Sequence, residues 1–510
     1  MDPSVLERYA FRDFERPAIV WTVPRQPPTG SMLQPQTSAE SAAGVAPVNE
    51  WLPEGHVERY LTWIDASTDF TTAFHKVAAV ARQKPGLTIR FTSGRAYATT
   101  AIGGATLFDL QGARGITVIG NGARISAGNV SSGILDVFDL NGAQDIHITG
   151  LRYSQTYQKL DPANGARFFH IRNGSSRIRI EDCEQLGGYS GITAIGDVST
   201  GGSRSDRITA INNRFENVYY PQSFQASGDW YFARGIQTIN CGRGYFPWNV
   251  HDHDVEMVSR QGGPFDDVLL KVYADSRSAY NRLENIRLKY WSDGKHPNGV
   301  DTRSSAIVTF DASQNTPTST PAQFANIDVQ IVFDATRAPV ARKLLQFKRF
   351  TSTGAVDRAV RGHSFANISI SGFVRGWDNA SNVCLDFFGT ADGYAWNGDS
   401  AHDIKVKNFI AIGDADDVAI SINAQPFTGT GAISFENVVT DMQFAWSNWP
   451  KRKSLDAIRK MERAATPVWA MDRPLRWIHG ESPTRTMPLM LLVEDLVEQS
   501  RIGGISTITN

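Results

Sequence analysis

The sequence predicts an all-β chain wound as a right-handed, single-stranded parallel β-helix, a solenoid opened by a capping helix. Three observations predict it: short apolar strands recur about every thirty residues, turn residues punctuate the whole chain, and one amphipathic helix precedes the first repeat.

The repeat is the strongest of the three. Leu107-Phe108-Asp109-Leu110, Val137-Phe138-Asp139-Leu140 and Phe168-Phe169-His170-Ile171 begin 30 and 31 residues apart. A second series of alternating strands begins at Ile116, Ile146, Ile178 and Ile208, at steps of 30, 32 and 30. Two independent series with one period identify a repeat architecture. Phe324-Ala325-Asn326-Ile327 and Phe365-Ala366-Asn367-Ile368 carry one tetrapeptide, and Ile404 and Ile433 continue from Ile368 at steps of 36 and 29. Strands this short cannot bury a face alone, but stacked coil on coil their inward residues form one apolar column. The period is shorter than a propeller blade of the WD40 type, and the helical signatures of ankyrin or TPR repeats are missing, so a β-helix fits best and a propeller is the runner-up.

Residues 1–50 read as an extended N-terminal arm. Pro24, Pro27, Pro28 and Pro35 interrupt it, and the Gln/Ser/Thr/Ala-rich run from Gln34 to Gly44 has no apolar period. The β-helix is assigned to 51–450, with its capping helix near 67–84. Phe70, Phe74, Val77 and Ala81 fall on one helical face, Ser67 or Thr68 is placed to cap its start, and Pro85-Gly86 stops it. A helix here would cover strand edges that otherwise pair with other chains. Leu87, Ile89 and Phe91 then alternate as a first strand. Residues 451–510 form a C-terminal tail, helical over Ser454–Ala465 and Pro488–Gln499, suited to capping the far end or meeting another subunit.

The 510 residues carry 51 basic and 52 acidic side chains, a formal charge of −1. That balance gives no general attraction for nucleic acid or an anionic membrane. Cys183, Cys241 and Cys384 lie far apart without metal-ligand spacing, which argues against a disulfide framework or a zinc site. The first twenty-odd residues mix Asp, Glu and Arg among apolar side chains, so no secretory signal is recognised, and no apolar run is long enough to insert in a membrane.

The stretch Thr68 to Ile125 reads TDFTTAFHKVAAVARQKPGLTIRFTSGRAYA and, after a short gap, LFDLQGARGITVIGNGARI. It resembles the opening of pectate-lyase-like β-helix proteins, in which a capping helix leads through a glycine-containing turn into the first coils. The resemblance extends with decreasing clarity to about Val439. It implies the β-helix fold and the company of phage tailspikes, polysaccharide lyases, hydrolases and mannuronan epimerases. The Asn-Thr-Asp motif of polygalacturonase-type hydrolases does not occur, and Gly362-His363-Ser364 only approximates their Gly-His-Gly. Tyr245 to Asp252 matches the epimerase motif in outline alone.

Tyr219 to Asp254 is the densest segment of unusual composition, with nine aromatic residues among Gln, Asp, Arg and His. Sugar rings present apolar faces and a hydroxyl rim, so aromatic platforms beside polar groups suit them. From it Tyr220, Trp230, Tyr231, Arg234, Tyr245, Trp248 and His253 are taken as candidate substrate-binding residues, and His251 and Asp252 as candidate catalytic ones. In the run His251-Asp252-His253-Asp254, Asp254 precedes Val255 as Asp145 precedes Ile146 and Asp403 precedes Ile404, so it reads as a turn residue. Two histidines and a carboxylate can hold a divalent cation, which is the one cofactor left open; no other is expected. A second cluster, Lys289 to His296, adds Lys289 and Trp291 as binding candidates and Asp293, Lys295 and His296 as catalytic ones. A uronate lyase needs a cation and a base of these types. A hydrolase needs two carboxylates across the bond, which Asp229, Asp252, Asp293 and Asp301 can supply.

These readings converge on a protein that binds and depolymerises a bacterial surface polysaccharide. The expected form is a phage-type tailspike, extracellular or virion-associated, homotrimeric, and attached to a virion by its arm. A bacterial exopolysaccharide lyase or epimerase, and a non-catalytic glycan-binding adhesin or spike, remain open beside it. Neither nucleic acid nor a membrane is expected as a partner.

Overall fold

Alternating apolar residues become a solenoid because each strand finds a parallel partner one coil away. The computed structural model describes residues 32–447, apart from 63–67, 158, 162, 197–202, 264, 275–279, 294–305, 315–320, 335–342, 349–361, 378–382, 388–399, 415–417 and 424–432. Each early coil supplies three strands. Thr117–Ile119, Arg124–Ala127 and Ile134–Asn141 pair in parallel with Gln144–Thr149, Arg152–Gln155 and Gly165–Arg172 of the next coil. Three stacked sheets result, numbered here in that order. From Asp229 onward the first and second sheets share single bent strands, the bend in Asp229–Ile239 lying at a register shift between Ala233 and Ile236.

Ile146, Ile178 and Ile208 are direct register partners, and the pairing of Thr117 with His147 sets Ile116 level with them. This is the column the sequence predicts. It continues through Tyr231, His253, Ile286, Ile327, Ile368, Ile404 and Ile433. The coils from Ile208 to Tyr231 and from Tyr231 to His253 are only 23 and 22 residues long, shorter than the period implies. Inside the third sheet the aromatic rings stack in turn: Phe108 on Phe138 at 4.5 Å and Phe310 on Phe347 at 4.4 Å.

The residue before each column position makes the corner into the first sheet, and it takes the left-handed conformation. Gly86 and Gly115 open the series with φ of 81° and 67°. Asp145, Arg177, Arg207, Trp230, Asp252, Asn285, Asn326, Asn367 and Asp403 follow with φ between 53° and 59°. Asparagine and aspartate tolerate this region best after glycine. Their side chains also form a ladder, Asn367 donating to Asn326 (3.2 Å), Asn326 to Asn285 (3.1 Å) and Asn285 to Asp252 (2.9 Å).

The capping helix spans Thr71–Gln83 and buries Phe74, Val77 and Ala81 behind Phe70, with Phe74 4.8 Å from Phe108 of the first coil. In its first turn Asp69 Oδ1 accepts the Thr71 amide at 2.9 Å; of the two residues expected to cap it, Ser67 lies outside the described residues. Aspartate is the better acceptor there because its charge also opposes the helix dipole. Residues 32–50 of the segment expected as an arm pack on the main body. They form a short helix, Ser38–Ala42, closed by a capping box between Thr37 and Glu40. Glu40 and Arg59 make a fully buried ion pair at 2.6 Å, and Glu58 accepts from Arg95 (2.5 Å) and Tyr97 (2.8 Å) beside it. The rest of the arm, 1–31, and the expected helices of the tail lie outside the described residues.

Cys183, Cys241 and Cys384 are buried free thiols; burial pushes the first two up to about 12. Among the described residues no helix is long and apolar enough to cross a membrane.

The Glu40–Arg59 pair predicts a local weak point. Burial works to raise the Glu40 pKa, but hydrogen bonds from Arg59 and the Thr37 amide hold it below its usual range. Arg59→Met leaves that carboxylate buried without its cation, at a cost of about 3–5 kcal/mol. Hydrogen exchange should then show residues 37–61 opening well before the central coils.

Candidate functional site

The corner into the first sheet brings chemistry to one edge of the solenoid. Two residues before each column position lies a further register row. Asp206 pairs with Asp229, His251 pairs with Glu284, and the Tyr231–His253 pairing sets Asp229 level with His251. Successive coils therefore present Asp206, Asp229, His251 and Glu284 in line.

His251 is the centre of this group. Its Nδ1 donates to Asp252 Oδ2 at 2.6 Å, and its Nε2 lies 3.5 Å from Asp229 Oδ2. Its backbone amide donates to Asp229 Oδ1 at 3.2 Å. Asp229, nearly buried, is gripped by Arg204, whose Nε and Nη2 each donate at 2.6 Å. The Arg204 guanidinium lies 4.9 Å from the Tyr280 ring centroid, and the Tyr280 hydroxyl donates to Glu284 at 2.7 Å. Burial and the Glu284 carboxylate both raise the Tyr280 pKa, so this phenol stays protonated.

Beside this row stand the exposed aromatic side chains of the described residues, Trp230 at 57% and Phe232 at 40% exposure. Both belong to Asp229–Ile239, with buried Tyr231 between them, as strand alternation requires. Arg207 lies 6.0 Å from the Trp230 ring centroid and Arg234 4.3 Å from that of Phe232. Arg234 in turn donates to Asp254 Oδ2 at 2.7 Å. Trp230 sits at a left-handed corner, costly for a bulky residue by roughly 1–2 kcal/mol.

The structure thus unites Trp230, Arg234, His251 and Asp252, and it corrects several other readings. Tyr231, Tyr245 and His253 are not surface groups. All three are buried inside the coil, where Tyr245 donates to His253 Nδ1 (2.7 Å), His253 Nε2 donates to the Gly228 carbonyl (2.8 Å) and Tyr231 donates to Gln222 (2.6 Å). His253 occupies an isoleucine position of the column, which the short coils hid. His253 is turned inward, with both ring nitrogens hydrogen-bonded inside the coil. Among the described residues no group of three or more His, Cys, Asp or Glu side chains is arranged to hold a metal ion. The turn assignment also moves by two residues: Asp252, not Asp254, is the counterpart of Asp145 and Asp403, and Asp254 faces outward between Phe232 and Arg287.

Lys289 and Trp291 lie farther along the same strand as Glu284, where it bends into the second sheet, alternating with buried Leu288 and Tyr290. Asp293 accepts the Gln261 amide at 3.1 Å and so helps shape a turn. Lys295 and His296, with Asp301, lie outside the described residues. Tyr220 and Trp248 stand on the third sheet, in other register rows. Arg204, Tyr280 and Glu284 were not singled out from sequence. They lie outside the aromatic segment and join His251 only through coil register.

The third sheet carries a second polar group. Arg167 Nε donates to Asp136 at 2.6 Å, His170 Nδ1 lies 3.2 Å from Asp136, and Arg172 holds Asp139 through two bonds. Each carboxylate there already has its own arginine.

Stacked parallel sheets, left-handed corners and a capping helix define the class: the chain has the right-handed parallel β-helix fold. No family model and no curated protein matches it. Among solved structures it is similar to a surface protein and adhesin, PfbA, of Streptococcus pneumoniae, at 15% identity over 77% of this chain and 99% of that one, with a TM-score of 0.43. An endo-xylogalacturonan hydrolase from Aspergillus tubingensis matches at 13% identity, 76% and 94% coverage and a TM-score of 0.41. A tailspike protein of E. coli bacteriophage HK620 in complex with hexasaccharide matches at 11%, 87% and 84%, and 0.40. The likeness is one of fold.

His253 yields a pH prediction. Desolvation by burial lowers its pKa from 6.5 to about 4. A histidine depressed in the folded state binds fewer protons there than in the unfolded chain, so stability is full above about 6.5 and falls as pH drops toward 4. At pH 5 the loss from this one group is about 2 kcal/mol relative to pH 7. His253→Gln should flatten that part of the pH profile of the denaturation midpoint. An unchanged slope would show that other groups carry it.

Proposed function

We propose that the chain is a carbohydrate-active β-helix protein that binds a bacterial surface polysaccharide along the corner of its first sheet and cleaves it there. One observation carries this reading: the exposed aromatic rings Trp230 and Phe232 stand directly beside the row Asp229, His251 and Glu284. The rings offer apolar area to sugar faces, with Arg207 and Arg234 beside them for the hydroxyl rim. His251 lies between carboxylates and is suited to carry a proton to or from the glycosidic bond. Asp229 and Glu284 flank it two coils apart, a backbone separation of roughly 9–10 Å at ordinary strand spacing. That is the scale on which two carboxyl groups can work across a bond with room for water.

We propose further that the protein works as a tailspike-type depolymerase, extracellular or on a virion, as a homotrimer attached through its N-terminal segment. Light scattering at micromolar concentration should find a trimer. A monomer would remove the tailspike form and leave a free polysaccharide-cleaving enzyme.

The site itself is tested by substitution. Trp230→Ala should weaken glycan binding by about 1–2 kcal/mol with the fold unchanged. His251→Ala should lower turnover by about 10²–10⁴ while binding persists. Release of reducing ends reads the cleavage, and absorbance from an unsaturated uronate distinguishes elimination from hydrolysis. Full binding and full turnover in both variants would place the groove elsewhere.

A further inference from the structure

The asparagine ladder of the corner row has a direction, and it ends at the candidate site. Each amide donates toward the preceding coil: Asn367 to Asn326 at 3.2 Å, Asn326 to Asn285 at 3.1 Å and Asn285 to Asp252 Oδ1 at 2.9 Å. An amide can face either way along such a ladder, because it carries both a donor and an acceptor. The head of the ladder makes the choice. A carboxylate only accepts, so Asp252 draws the Asn285 NH2 toward itself and the later amides follow. The other oxygen, Oδ2, accepts the Nδ1 proton of His251 at 2.6 Å. Held from two sides, the carboxylate cannot turn without breaking a bond.

The second ring nitrogen of His251 is placed differently. Its Nε2 makes no hydrogen bond among the described residues, and its contact with Asp229 Oδ2 is long, at 3.5 Å. That oxygen already accepts Arg204 Nε at 2.6 Å, while Oδ1 accepts Arg204 Nη2 at 2.6 Å and the His251 amide at 3.2 Å. A single ring proton therefore sits at the short bond, on Nδ1, and Nε2 keeps a bare lone pair. The His251 side chain is 27% exposed, whereas His253 is buried. The chain holds its own comparison. His402 and Asp403 occupy the same two register positions four coils on. Their bond is 3.2 Å long, both side chains are more than half exposed, and no ladder amide among the described residues donates to Asp403.

We propose that Asp252 is a positioning residue: anchored by the asparagine ladder, it holds His251 in the Nδ1–H tautomer, so that Nε2 serves as the base of the cleavage reaction. This rests on the reading of His251 given above. Nε2 takes one proton, from the attacking water or from the sugar ring, and returns it to solvent. The imidazolium formed in between is balanced by the Asp252 carboxylate, which exchanges no proton and does not touch the bond.

Full-length protein labelled with nitrogen-15 in its histidine rings tests the geometry without any glycan. Above about pH 8, where an ordinary histidine is neutral, His251 should carry its proton on Nδ1 alone, its signals being assigned by their loss in His251→Gln. His402 should give the averaged signals of two exchanging tautomers. Asparagine suits a left-handed corner, so Asp252→Asn keeps the fold. Its oxygen accepts from Asn285 and its NH2 turns to His251 Nδ1, which moves the ring proton to Nε2. Carbethoxylation by diethyl pyrocarbonate, which attacks a bare ring nitrogen, should then slow at His251 by about tenfold or more and stay unchanged at His402. With purified capsular polysaccharide as substrate, the same variant should lose about 10²–10⁴ in kcat with KM unchanged. A proton on Nε2 in the parent, or an unchanged tautomer in Asp252→Asn, overturns the proposal, as does full kcat in a variant whose tautomer has inverted. A parent that cleaves no polysaccharide overturns the cleavage reading instead, and the ring spectrum still decides whether Asp252 holds His251.

Discussion

The structure depends on one constraint, the parallel register that holds a single inward column from Ile116 to Ile433. Each coil can bury its short strands only if the next coil repeats the same inward position at the same height. The corner before that position is where the constraint is enforced. A left-handed residue there turns the chain sharply enough to re-enter the first sheet, and the Asp/Asn ladder ties successive corners together. Each rung replaces water on an amide that would otherwise face the turn, a modest gain per bond.

The same register decides where chemistry can sit. A residue two places before the column always lies at the outer edge of the first sheet, so any polar set at that position becomes a vertical row. Asp229, His251 and Glu284 are distant in sequence and adjacent in space for this reason. The short coils between Ile208 and His253 compress the arrangement, since they remove residues from the turns and leave the strands in step. Their interior is unusually polar. Gln222, Tyr231, Tyr245 and His253 form a hydrogen-bonded set inside the solenoid, and it sits directly behind the exposed Trp230 and Phe232. A satisfied buried network of this kind fixes side-chain positions more narrowly than an apolar core. The outer platform therefore rests on a rigid base.

Charge is handled locally across the outer faces. Arginines pair with carboxylates on their own or the neighbouring coil, as with Arg172 and Asp139 or Arg234 and Asp254. Such pairs contribute little stability each when exposed. His251, by contrast, lies between two carboxylates.

Much of the architecture was legible in the sequence because it is written in local periodicity. The steps from Ile116 to Ile208, the tetrapeptides at Phe324 and Phe365 and the amphipathic face of Phe70, Phe74, Val77 and Ala81 each report a buried position directly. The aromatic segment and His251, Asp252, Trp230 and Arg234 were legible as composition. What sequence could not supply was direction. Whether Tyr231 or Trp230 faces water, and whether His251 or His253 does, turns on a one-residue choice of strand phase, and a shift of one flips every side chain. That phase was set by coils of 23 and 22 residues that break the average period, so His253 and Tyr245 read as substrate-binding candidates while the fold buries them. The sequence by itself determined that this chain is a stack of short parallel strands, since the repeat follows from local apolar spacing. Only the tertiary structure decided which residues meet at the edge, because Arg204, Asp229, His251 and Glu284 come from different coils and are joined by register alone.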